Sequence, residues 1–121
     1  MIREDYVSFE TAKLLKEKGF DELTYACFTF DGDDLYGYRA VGDDIMRPTL
    51  QTAMKWMREK HNIHIMIDCI GSKNYLPTAQ YTNNSEDVII EGNESKIGGR
   101  GMDSYEEACE AAIKYCLENL I

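Results

Sequence analysis

Residues 104–120 carry apolar side chains at steps of three and four, and no other stretch limits the fold so tightly. Tyr105, Ala108, Cys109, Ala112, Ile113, Cys116, Leu117 and Leu120 make one stripe, with Glu106, Glu110, Lys114 and Glu118 opposite. That period predicts an amphipathic helix with one face to bury. Ser104 followed by Glu107 is a capping box, in which each residue satisfies a free amide of the first turn. The stripe is too short and too mixed for a coiled coil. It is a packing face, and the rest of the chain must supply what it packs on.

Two further helices are expected. One runs from Thr49 to about Lys60, with Pro48 and Thr49 as start signals and Leu50, Ala53, Met54 and Met57 as its buried row. Trp56 flanks that row, and Lys55 and Arg58 point outward. The other runs from Phe9 to Lys18, capped by Ser8 and stopped by Gly19. Strands fill the gaps. Leu23 to Phe30 and Leu35 to Ala40 flank the turn residues Asp31-Gly32-Asp33-Asp34 and read as a hairpin. Ile63, Ile65, Ile67 and Cys69 alternate with His64, Met66 and Asp68, the period of a half-buried strand. Gly71-Ser72-Lys73-Asn74 turns the chain into Tyr75 to Thr82, where Pro77 weakens the strand or moves it to an edge. Val88-Ile89-Ile90 offers a fifth strand.

These elements predict a single two-layer α+β domain over residues 1–121, in the order αββαββ(β)α. An antiparallel sheet of four to five strands would be covered by three helices. A short echo, Thr11-Ala12 to Glu17-Lys18 and Thr52-Ala53 to Glu59-Lys60, suggests two αββ units and a closing helix. The Gly-rich stretch 83–103 reads as a long mobile surface loop. A chain of 121 residues, 44% hydrophobic, is enough for one such core.

Charge narrows the partners. The formal charge is −9, from 13 basic and 22 acidic residues, the wrong sign for neutralising phosphates, so no nucleic-acid partner is expected. From Glu86 onward nine acids meet three bases, whereas Met46 to Met66 holds four bases and the single acid Glu59. Such a split can steer an acidic partner or a second copy of the chain to one face. The charged start, Met1-Ile2-Arg3-Glu4-Asp5, and the lack of a long apolar run predict a cytoplasmic chain with no membrane partner.

Each cluster that resembles a reactive site fails on spacing. Asp31, Asp33 and Asp34 lose the alternation of a calcium loop at Leu35. Asp43-Asp44 read as acid at a helix start. His61 and His64 lack the third ligand and general base of a zinc hydrolase. Cys27, Cys69, Cys109 and Cys116 form no closely spaced pair and read as buried thiols. His64 and Cys69 fall on opposite faces of one strand, where they cannot share a proton. Gly98-Gly99-Arg100-Gly101 lacks the strand and the Gly-Lys-Ser/Thr ending of a phosphate cradle. Asn83-Asn84-Ser85 and Asn93-Glu94-Ser95 match a glycosylation sequon that has no meaning without secretion. Tyr36 and Tyr38 share a strand face, with Tyr25 expected across the hairpin. Aromatics so placed stack on bases only beside basic residues, and Arg39 lies on the other face, so core packing or a protein-contact patch is the reading.

The run from Thr49 to Ile65, the ending from Tyr105 to Leu120 and the segment Tyr6-Val7-Ser8-Phe9-Glu10-Thr11-Ala12 resemble a recurrent family of small uncharacterised proteins from gut Bacteroidetes and their phages. The resemblance covers three patches and implies a bacterial or phage setting inside the cell. It transfers no activity and no catalytic residue.

No cofactor, metal ligand or catalytic residue is therefore assigned. The function expected is a non-catalytic protein-binding or accessory domain that contacts another protein or forms a homodimer. Two alternatives stay open: an acidic inhibitor that mimics nucleic acid in phage–host conflict, and a small Cys/His-dependent enzyme.

Overall fold

In a computed structural model, which describes residues 2–37, 39–84, 86–88 and 102–121, the three expected helices are all present. Helix α3 spans Tyr105–Asn119, and Ser104 Oγ accepts the Glu107 amide at 3.1 Å. Helix α2 spans Leu50–His61; Thr49 Oγ1 accepts the Thr52 amide, and Asn62 at φ 58° ends the helix in the left-handed region. Helix α1 spans Phe9–Glu17, begun by Ser8 and followed by Gly19 at φ 94°. All three caps are short polar side chains read directly from the sequence.

Among the described residues six strands lie in two antiparallel sheets. The first is ordered β2-β1-β3, from Ala26–Phe28 (β1), Asp34–Tyr36 (β2) and Ile45–Arg47 (β3). The second is a meander, β4-β5-β6, from Ile63–Cys69, Tyr75–Tyr81 and Asp87–Val88. The α+β class is thus the one observed, with the strands divided between two sheets. The hairpin strands are shorter than expected, because Gly37 takes φ 65° directly after Tyr36 and ends β2 there. The strand β3 was not foreseen. Asp43 and Asp44, read as acid at a helix start, instead belong to a turn ahead of β3, where Asp44 Oδ2 accepts the Val41 amide at 3.2 Å.

Pro77 sits in the central strand of its sheet, opposite Ile67, rather than on an edge. Its missing N–H belongs to the side of β5 that turns away from β4, as the amides of Tyr75 and Tyr81 show by bonding Met102 O and Glu86 O. On that side β6 pairs with Ala79 and Gln80, and Met102 with Tyr75. The β4–β5 ladder therefore loses no hydrogen bond to the proline, because Pro77 and Ile67 form one of its unbonded pairs.

The core is one apolar cluster. Helix α3 packs against α1, α2, β4 and β5, and its Ala108, Cys109, Ala112, Ile113, Cys116 and Leu117 are wholly buried. Helix α2 adds Leu50, Ala53, Met54, Trp56 and Met57, with Trp56 edge-on to Phe20 at 5.4 Å. Each of α1 and α2 is followed by three strands, yet β1 is central in one sheet and β5 in the other. The sequence echo is therefore not a topological repeat. The greater part of the expected loop 83–103, including Gly98-Gly99-Arg100-Gly101, lies outside the described residues, as do Tyr38, Ile89 and Ile90.

Candidate protein-contact surface

The small first sheet is built around Arg47. Its register sets Ala26 between Tyr36 and Arg47, and Phe28 between Asp34 and Ile45. From there the Arg47 guanidinium reaches two strands and the segment ahead of α1. Nε donates to Val7 O at 2.9 Å, and one terminal nitrogen donates to Asp34 Oδ1 at 3.2 Å and to the Tyr36 hydroxyl at 3.0 Å. The same group lies over the Phe28 ring at 4.5 Å and the Tyr6 ring at 5.4 Å. With only 17% of the side chain exposed, Arg47 is a structural clamp rather than a free cation. Sequence reasoning missed it and took Arg39 as the base nearest the tyrosines.

Outward from this clamp the sheet is apolar and open. Tyr25 does neighbour Tyr36, with ring centroids 6.4 Å apart, and a Cβ on Gly37 would meet the Tyr25 ring at 3.5 Å. Phe30 stands exposed in the hairpin turn, beside Gly32 at φ 92°, whose amide bonds Thr29 O. Among the described residues eight large hydrophobic side chains are exposed, and five of them, Leu23, Tyr25, Phe30, Tyr36 and Val41, fall within residues 23–41. A hollow of about 380 Å³ opens there, lined by Leu23, Tyr25, Gly37, Arg39 and Met46 among others. Leu23, 75% exposed, also borders a second hollow with Lys55, Trp56 and Lys60 of α2. Single exposed apolar residues are ordinary, but a cluster marks a contact surface.

The rim of this cluster is acidic. Residues 20–46 hold Asp21, Glu22, Asp31, Asp33, Asp34, Asp43 and Asp44 against the lone base Arg39, and all seven acids except half-buried Asp44 are exposed. The counts were open to inspection in the sequence. Their meaning depended on the fold leaving the apolar residues of this stretch exposed.

The remaining candidates lie elsewhere. Cys109 and Cys116 are buried, and burial pushes their thiols up to about 11 and about 12. Burial first and the Asp44 carboxylate second raise Cys27. Cys69, expected to be buried, is exposed at the end of β4 with Sγ 3.2 Å from Gly71 O. His61 packs edge-on to Trp56 at 4.7 Å, and burial lowers its pKa. His64 points away from the face of Ile63 and Ile65, its buried Nδ1 without a partner among the described residues. Among the described residues no three His, Cys, Asp or Glu side chains are grouped to hold a metal ion. No described helix is long and apolar enough to cross a membrane.

Comparison with protein-family models, with curated proteins and with solved structures found no match to this chain.

Proposed function

We propose that this domain acts by protein contact rather than by catalysis, and that the β1–β2 hairpin with its flanks, residues 23–41, is its contact surface. One observation carries the reading: five of the eight exposed large apolar side chains among the described residues fall within residues 23–41, beside a strand that Arg47 holds at Asp34 and Tyr36. Exposed tyrosine and phenylalanine on a rigid support are the anchors from which binding hot spots are made. The thiols offer little for catalysis, since burial disfavours the thiolate at three of the four. The setting that goes with this reading is the cytoplasm of a bacterium or of a phage-infected cell.

Pull-down from lysate of the encoding organism tests it by comparison. The double variant Leu23→Ser, Tyr25→Ser is expected to lose the partner captured by the natural chain, while Lys73→Ser on the far β4–β5 turn keeps it. Equal capture by both variants would remove this surface from consideration.

A further inference from the structure

We propose that the open edge of β2 receives an extended, basic segment of another protein as an added strand. This rests on the hairpin and its flanks being the contact surface and names what occupies it. The backbone supplies the first argument. Thr29 N bonds Asp33 O and Gly37 N bonds Tyr25 O, at the two ends of a register that pairs Cys27 with Leu35 midway. In an antiparallel ladder bonded pairs alternate with unbonded ones. The unbonded pairs are then Phe28 with Asp34 and Ala26 with Tyr36. The N–H and C=O groups of Asp34 and Tyr36 therefore point away from β1, to the side where no strand lies among the described residues. A strand edge with free backbone groups is a template for strand addition.

Charge selects the occupant. The acids of residues 20–46 outnumber the bases seven to one. A second copy docked edge to edge would bring two such regions within a screening length of about 8 Å, where like charges repel. A segment alternating Lys or Arg with apolar residues meets the opposite sign. Its bases on one face meet Asp34, with Asp31 and Asp33 in the adjoining turn, and its apolar side chains on the other face meet Leu35.

The test is fluorescence polarisation of the intact chain with a short labelled peptide alternating lysine and valine. Its comparators are an aspartate–valine peptide and a lysine–valine peptide N-methylated on alternate amides. The lysine–valine peptide should bind at about 50 mM salt and weaken at least about threefold at 300 mM. The aspartate and N-methylated peptides should not bind. Tyr36→Pro deletes an outward N–H without touching the β1–β2 ladder, and should weaken binding about tenfold beyond Tyr36→Ala. The peptide N-methylation arm gives the same answer should the proline variant fold poorly. Equal binding of lysine and aspartate peptides, or indifference to N-methylation, would overturn the strand-addition proposal. So would sedimentation showing a dimer that Tyr36→Pro abolishes. A lysate partner still dependent on Leu23 and Tyr25, with no peptide binding, would defeat this inference and leave the contact surface standing.

Discussion

Arg47 shows how far a single residue can organise a surface without belonging to it. Its partners Val7, Tyr36 and Asp34 lie 40, 11 and 13 residues away in sequence, so no local pattern announced them. The tyrosines were legible, because Tyr25 and Tyr36 flank a recognisable turn. Arg47→Ala should destabilise the fold by about 2–3 kcal/mol, since a buried carbonyl and a hydroxyl lose a charged donor. Arg47→Lys should recover less than half of that, lacking the planar fork; urea midpoints of the two variants check this. The thiols give a second expectation. Native protein should react quickly with a thiol reagent at Cys69 alone, and at all four cysteines once unfolded, as mass spectrometry would record. His61 gives a third. Burial lowers its folded pKa below the ordinary 6.5, so on acidification the unfolded chain takes up the proton first. Its contribution is complete above pH 6.5, declines as pH falls toward the folded pKa and then levels off. Replacing His61 by Phe should flatten that part of a stability–pH curve.

Elements were legible in proportion to their length and to the chemistry at their ends. Each helix carries a cap residue and several turns of period, and each is found within a residue or two of its expected bounds. Strands β4 and β5, seven residues each, were read from alternation and turn residues. The three-residue strands were not. A strand of that length shows no period, and Ile45-Met46-Arg47 stands directly before Pro48, which drew the reading toward a helix start. Pro77 marked a real constraint, but its missing N–H lies on the side of β5 away from β4, so the β4–β5 ladder is intact and the strand stays central. Because α3 is pressed between both other helices and the second sheet, its interior should be the least tolerant part of the fold. Leu117→Ala should cost about 2–5 kcal/mol, against about 1 kcal/mol for removing the cap in Ser104→Ala. Chemical denaturation of the two variants side by side gives the ratio.

At the scale of the whole molecule, most of the described apolar side chains fall into two sets. One fills a continuous core among three helices and the β4–β5 sheet. The other remains exposed along residues 23–41, in a stretch where acids outnumber bases. The charge split read from sequence, basic along α2 and acidic from Glu86 onward, missed the equally acidic stretch from Phe20 to Met46, because that stretch was read as a hairpin and not as a surface. Protein contact through this stretch is the central claim. Its most direct test is a scan with a photo-activatable amino acid placed singly at Leu23, Phe30 and Tyr36, and at Lys16, Lys73 and Glu118, in cells of the encoding organism. One common adduct is expected from Leu23, Phe30 and Tyr36 and none from the other three positions. Adducts spread evenly over all six positions, or confined to the second group, would contradict it.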